Sequence, residues 1–397
     1  MVHVVPRGFR LAGVRCGLKK DASRLDLTLV AGDADLVAAG VYTKNLIYAA
    51  PVALDRQRTP ALAMRVVVAN SGNANACTGD RGLDDARNMA AAAANAVGAR
   101  PEQALVLSTG IIGEYLPMAE IQAGITAAAG RLDNRPESLL NAARGIMTTD
   151  RYEKIVSRSV NCGDSACHIS GIAKGAGMIG PKMATMLAVI MTDATLMPET
   201  AQTILQQAVD QSFNCISVEG HMSTNDTVLL LASGRAGTEL LEGADLTTFQ
   251  TGLTEACVEL ARMIPRDGEG ASHLITIDVS GTATLADARC IAETIANSSL
   301  VKTAIAGNDP NWGRIVSAAG YAGVPFDPHG VDLSVNGTPL YQGGTPIPFD
   351  AASVRQSMQD NPEVRIHLKL SAGTATATFW TSDLTVDYVR LNADYHT

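Results

Sequence analysis

Aromatic side chains are scarce in this sequence, 4% of 397 residues, and charged ones make up only 18%. Little charge combined with 46% hydrophobic residues excludes a disordered chain, which could not bury enough apolar surface to offset its ordering entropy. No basic block occurs. The 31 basic residues are outnumbered by 40 acidic ones, a net charge of -9, so nucleic acid and anionic membrane surfaces give way to small molecules as partners. No run of about 18 apolar residues is present to cross a bilayer. The opening MVHVVPRGFRLAGVRCGLKK lacks the continuous apolar segment of a secretory signal, so a cytoplasmic location is expected. The seven cysteines are odd in number and scattered, which suits a reducing compartment and not a disulfide framework. One close pair, Cys162 and Cys167 in NCGDSACH, stands beside His168. A second ligand pair is missing, so Gly163, Asp164 and Ser165 read as a hairpin turn and no metal or cofactor is expected.

What is abundant is alanine and glycine, with 36 glycines, as in a closely packed α/β or α+β protein. The length allows two or three domains and a large core. Apolar runs predict strands at 25–30, 40–43, 65–69, 105–108, 155–160, 168–172, 185–191, 228–231 and 274–279. Helical periodicity predicts helices at 84–97, 117–129, 200–212, 253–263 and 286–297. GNDPNWGR reads as a punctuated loop, a smaller strand-rich unit follows, and a domain boundary is placed near residue 280.

Residues 175–180, GAGMIG, form a GxGxxG. A dinucleotide fingerprint needs a helix and a second strand between that loop and its acidic residue. Only residues 181–192 precede Asp193, too few for both. TMLAVIM, 185–191, is short, apolar and contains Val and Ile, so it reads as a buried strand. The glycines then serve a sharp turn ahead of the Ala184-Thr185 step. A mid-chain threonine is a weak nucleophile. If the Ala184-Thr185 bond were cut, Thr185 would own an α-amine of pKa about 7.7–8.0, able to take its hydroxyl proton. The small Ala184 after a glycine turn leaves room for an N-to-O acyl shift. An isolated Ala-Thr is ordinarily only the start of a strand, so context decides.

That context is a resemblance. KGAGMIGPKMATMLAVIMTDA closely resembles the self-cleavage segment of the ornithine acetyltransferases, also called glutamate N-acetyltransferases, of arginine biosynthesis. NSGNANACTG at 70–79, STGIIG at 108–113, MTTD at 147–150, STNDT at 223–227, RDGEGA at 266–271, GNDPNWGRI at 307–315 and YVRLNADYHT at 388–397 are similar to that family's segments, in its order. The resemblance covers the chain from about residue 8 onward. It implies an N-terminal-nucleophile-hydrolase-like αββα sandwich over 1–280. A smaller C-terminal α/β domain over 281–397 would bring its terminus to the active site. It also implies self-cleavage between Ala184 and Thr185 into chains 1–184 and 185–397, which stay together as a heterotetramer of two α and two β chains.

By the same resemblance Thr185 is the nucleophile, and the Thr109 side chain and Gly110 N–H form the oxyanion hole. Substrate contacts carry over to Thr148, Lys174, Thr185, Glu269, Asn392 and Thr397. A lysine suits a substrate carboxylate and a glutamate suits a substrate ammonium. The implied reaction is a ping-pong transfer of acetyl from N2-acetylornithine to glutamate through acetyl-Thr185, giving ornithine and N-acetylglutamate. Members are monofunctional or bifunctional, so acetyl-CoA is a second candidate donor. The chain departs from the family pattern in RYEK after MTTD, in His221 and Met222, and in His273, where a lysine is common. These departures bear on pocket shape and on pH response near Glu269. Two rival readings are a self-processing aminopeptidase of similar architecture, which would deliver the acyl group to water, and a non-catalytic dinucleotide-binding module built on GAGMIG.

Overall fold

The computed structural model describes residues 3–163, 165–180, 186–237 and 239–394. Its strands are β1 (Phe9–Val14), β2 (Leu27–Tyr42), β3 (Ala61–Asn73), β4 (Ala104–Ile111), β5 (Lys154–Cys162), β6 (Ser165–Lys174), β7 (Leu187–Thr192), β8 (Ile216–Ser217), β9 (Thr227–Ala232), β10 (Leu274–Thr282), β11 (Asp332–Val335), β12 (Thr338–Gln342), β13 (Thr345–Pro346), β14 (Glu363–Lys369) and β15 (Ala375–Ser382). The helices are α1 (Ala50–Arg56), α2 (Gly79–Ala96), α3 (Met118–Ala129), α4 (Pro136–Ile146), α5 (Pro198–Asp210), α6 (Gly243–Arg266), α7 (Leu285–Ala296), α8 (Ser299–Ala306), α9 (Trp312–Gly320), α10 (Ala351–Asp360) and α11 (Val386–Asp394).

The architecture turns on β2. Its first half, residues 27–31, pairs antiparallel with β1 and β3, and its second half, 37–42, pairs antiparallel with β9. The register against β3 shifts between Ala31 and Leu36, so the strand leaves one layer and enters another. The sheet β4-β3-β2-β9-β7-β6-β5, with β1 alongside β2, therefore folds into two layers sharing one strand. Leu11, Val30, Val67, Leu105 and Leu107 of one layer pack against Ile172, Val189 and Leu229 of the other, and Leu139 and Ile146 of α4 close the same core. Alternate residues point outward, as the period of two demands. Val66, Val68 and Val106 lie beneath α2 and α3, and Ala188, Ile190, Val228 and Leu230 lie beneath α5 and α6. The result is an αββα sandwich. All six residues of β7 are buried because β6 and β9 pair with both its edges and both faces are covered, which is why its sequence shows no alternation.

A second sheet, β13-β12-β11-β14-β10-β15-β8, centres on β10, which runs parallel to β14 and antiparallel to β15. Ile275, Ile277 and Val279 pack with Ile291 and Ile295 of α7 in a core continuous with that under α6. Strands β8 and β10 come largely from ahead of residue 280 and the rest from after it.

Several local expectations change. The segments 25–30 and 40–43 are parts of one strand, β2, joined through Gly32-Asp33, which reads as a break in sequence. Helix α4, absent from the sequence reading, buries Leu139, Ala142, Ala143 and Ile146 at helical spacing behind Pro136 in its first turn. The GNDPNWGR segment is only partly loop. Asn311 accepts the Arg314 backbone N–H at 3.1 Å and starts α9 at Trp312. The GAGMIG loop joins strands that run antiparallel, so the parallel βαβ crossover of a dinucleotide fold does not form there. The cysteine pair lies on the β5–β6 hairpin, and among the described residues no metal-binding cluster is present. No described helix is long and apolar enough to cross a membrane.

Candidate active site

Strand β4 carries Ser108, Thr109 and Gly110 alongside Asn70, Ser71 and Gly72 of the parallel β3. The two backbones approach so closely that a Cβ on Gly110 would strike the backbone of Gly72, and Gly110 has φ of +135°, open to glycine alone. The Asn225 side chain of STNDT donates to the carbonyls of Ser108 at 2.8 Å and Ala74 at 2.7 Å. It thereby ties the start of β9 in one layer to the end of β4 in the other.

Lys174 ends β6 and is 2% exposed. Its ammonium donates to Thr109 Oγ1 at 3.1 Å, across the mouth of the sandwich. Burial pulls this lysine below the usual range, against the Asp150 carboxylate, which pulls the other way. Asp150 is the hub beside it. Its oxygens accept Thr148 N–H at 2.9 Å, Gly175 N–H at 2.7 Å and Lys154 Nζ at 2.8 Å. Burial would raise its pKa, but Lys154 and Lys174 more than offset this and hold the carboxyl well below the usual range. Lys154, fully buried, also reaches Asp267 at 2.6 Å. A buried chain of charge thus fastens MTTD, the start of the glycine loop and RDGEGA together.

Two residues beyond Asp267, the Glu269 N–H donates to Ala176 O at 2.9 Å, so Glu269 hangs from the glycine loop. Gly177 leaves room for this carboxylate, since a Cβ there would meet Glu269 Cδ at 2.5 Å and displace the side chain. Asn392 on α11 donates to Glu269 Oε2 at 3.0 Å, and Thr385 donates to Gly270 O at 2.6 Å, docking the C-terminal helix on the same motif. A cleft of about 680 Å³ opens from Gly110 and Thr148 and is lined also by Lys19, Lys20, Arg24 and Tyr115. Thr109, Gly110, Thr148 and Lys174 are therefore gathered at one end of the sandwich. Glu269 and Asn392 pair beside them, near enough for Glu269 to act on the Lys174 charge. Ala184, Thr185 and Thr397 lie outside the described residues. Of the departures from the family pattern, His273 is not an open pocket residue. Its Nδ1 pairs with Asp383 at 3.1 Å, which raises its pKa, and its Nε2 meets Met358 O at 3.1 Å.

Asp226 was legible only as part of STNDT and carried no role. It is fully buried, its Oδ1 accepts the Met186 N–H at 3.0 Å, and Oδ2 has no hydrogen-bond partner among the described residues. Burial, only partly opposed by the Met186 N–H and Lys174, pushes its carboxyl up to about 8. The folded state then holds a proton that the unfolded chain releases above the usual carboxylate range, so this residue costs stability increasingly as pH rises toward about 8. Asp226→Asn keeps the Oδ1 acceptor and removes the titration. Its melting temperature should gain on the native protein steadily between pH 5 and pH 8, and a constant difference across that range would contradict the assignment.

The sandwich has the fold class of the N-terminal-nucleophile hydrolases, with the candidate site at the joint end of its layers. The ArgJ family model matches residues 10–397. The chain is 46% identical to the arginine biosynthesis bifunctional protein ArgJ of Rhodopirellula baltica, over 100% of this chain and 97% of that protein. It is also 46% identical to the protein of the same name from Symbiobacterium thermophilum, over 99% and 98%. The crystal structure of arginine biosynthesis bifunctional protein ArgJ from Bacillus halodurans superposes with a TM-score of 0.50 at 38% identity, covering 51% of this chain and 96% of that one. The chain belongs to the ArgJ family.

Proposed function

We propose that this chain is a self-processed glutamate N-acetyltransferase of arginine biosynthesis, which moves the acetyl group of N2-acetylornithine to glutamate. The observation that carries the reading is the buried Lys174 ammonium 3.1 Å from Thr109 Oγ1, beside Gly110. That pair lies at the mouth of a sandwich whose central strand β7 begins two residues after Thr185. In processing, the Thr185 hydroxyl attacks the Ala184 carbonyl, the Ala184–Thr185 C–N bond breaks, and the nitrogen takes up the hydroxyl proton. Water then hydrolyses the ester, releasing the Ala184 carboxylate and restoring the Thr185 hydroxyl beside its free α-amine.

In catalysis that amine takes the proton of Thr185 Oγ as it attacks the acetyl carbonyl. Thr109 Oγ1 and the Gly110 N–H stabilise the oxyanion, a contribution of about 3 kcal/mol per donor in comparable sites. The amine returns its proton to the departing nitrogen of ornithine, and the acetyl-threonine ester is attacked by the α-amine of glutamate. Lys174, with Thr148, receives the substrate α-carboxylate, and Glu269, held by Asn392, receives the α-ammonium that ornithine carries as it leaves and glutamate as it enters. Thr397 completes the contacts.

The route uses no metal or bound cofactor. Both relatives are named bifunctional, and acetyl-CoA fits as a second donor because a thioester need only enter the same acyl site. The Bacillus halodurans chain is matched over 96% of its length by 51% of this one, the proportion expected of a chain severed near its middle. Cleaved chains 1–184 and 185–397 would remain together and pair into a heterotetramer in the cytoplasm, where an odd, scattered set of seven cysteines is at home. Exposed Leu46 and Ile47 offer apolar surface for that assembly.

Initial rates with both substrates varied test the reading. N-acetylglutamate should form with parallel double-reciprocal lines, since ornithine leaves before glutamate reacts. Intersecting lines would indicate direct transfer in a ternary complex, and rapid acetate release without glutamate would favour an aminopeptidase-like hydrolase.

A further inference from the structure

A transferase of this kind faces a conflict of charge. The donor brings a side-arm ammonium, the acceptor brings a side-arm carboxylate, and in a ping-pong reaction each occupies the same site in turn. We propose that Glu219 receives both side arms, accepting from the ammonium of N-acetylornithine when ionised and donating to the distal carboxylate of glutamate when protonated. The inference rests on the acetyltransferase reading above.

The placement follows from the glycine loop. Its Ala176 carbonyl holds the Glu269 N–H at 2.9 Å, and its Ile179 carbonyl accepts from Val218, Glu219 and Gly220 at 2.8, 3.2 and 3.0 Å. Glu269 and Glu219 therefore hang from one short loop whose first neighbour is Lys174. Gly180 allows this approach, because a Cβ there would meet the Gly220 carbonyl carbon at 2.6 Å. Both carboxyl oxygens of Glu219 are buried and neither makes a full hydrogen bond among the described residues, although the backbone N–H groups of Ile179 and His221 lie near enough to favour its charged form. A carboxyl in that state is costly unless something else binds it.

The charged groups facing it are Lys302 of α8, Glu269 and Tyr388 of α11. Lys302 is not its direct partner, since that ammonium is spent on the Val218 carbonyl, Thr381 Oγ1 at 3.0 Å and Ser382 Oγ at 3.4 Å. Burial, opposed by Lys302 and the backbone N–H groups around it and reinforced by Glu269, pushes Glu219 up to about 7. Both protonation states are then within reach at neutral pH. An incoming ammonium favours the ionised form and an incoming carboxylate the protonated one.

The test is steady-state kinetics across pH 6 to 8.5 on the processed enzyme, with melting temperatures as a control on folding and calorimetric titration with ornithine and with glutamate. In the native enzyme the KM for N-acetylornithine should fall through pH 7 and the KM for glutamate should rise. Glu219→Gln keeps an N–H donor but cannot become an anion. It should raise the KM for N-acetylornithine by about tenfold or more, weaken ornithine binding equally, leave glutamate binding near its native value and abolish both pH trends. Equal changes in the two KM values, or none in either, with native melting, would overturn the proposal. If Glu219→Gln does not fold, the native pH trends decide, and parallel movement of the two KM values would overturn it. Absence of acetyl transfer in the native protein would instead overturn the underlying reading.

Discussion

Thr185→Ala should migrate as one polypeptide of 41.4 kDa. The native protein should give fragments of roughly 19 and 22 kDa, from dividing the 41.4 kDa at residue 184 in proportion to length. Acetyl transfer should be lost below detection, because the substitution removes the attacking oxygen for both reactions. It also leaves the nitrogen of residue 185 in a peptide bond, where it is no base. The expected loss exceeds that of any other single change, since nucleophile and base are one residue. Thr185→Ser restores a hydroxyl and should restore processing. A native enzyme that transfers acetyl with its Ala184-Thr185 bond intact would remove the amine-base argument.

Lys174→Met should lower kcat/KM by about 10²–10³ with little loss of stability. The lysine is buried, donates to Thr109 and is pulled below its usual range by that burial. Methionine fills similar space without a desolvation cost, and Asp150 keeps Lys154 and the Gly175 N–H. Lys154→Met should show the opposite split. It leaves the fully buried Asp150 and Asp267 side chains short of their shared cation, which costs about 3–5 kcal/mol for a broken buried pair. Thermal melts and initial rates on the two variants separate a lysine that serves substrate from one that serves the fold. Equal stability losses would contradict the distinction.

The difference between these two lysines marks what the sequence could carry. Motifs close in the chain were legible. KGAGMIG announced a backbone turn, STGIIG and RDGEGA were recognisable as segments of a known family, and β7 announced itself as an uninterrupted apolar run. The meeting of Thr109 with Lys174 depends on β4 and β6 lying in different layers, which no local pattern encodes. Lys154 pairs with Asp267 across 113 positions, and nothing in RYEK signals a buried cation. Helix α4 escaped notice because its buried face consists of Leu139, two alanines and Ile146, a narrow stripe among polar residues. Strand β2 was divided because Gly32 and Asp33 mark its passage between layers, where a strand ending and a strand changing sheets look alike. Glu219 just precedes STNDT and Asp226 lies within it, both in plain view, but the burial of their carboxyl oxygens is a property of packing alone.

Intact mass spectrometry of the enzyme given N-acetylornithine and no acceptor tests the covalent step most directly. The fragment beginning at Thr185 should gain the mass of one acetyl group, peptide mapping should place it on Thr185, and added glutamate should discharge it as N-acetylglutamate. A label on any other residue, or no label while transfer proceeds at full rate, would contradict the account.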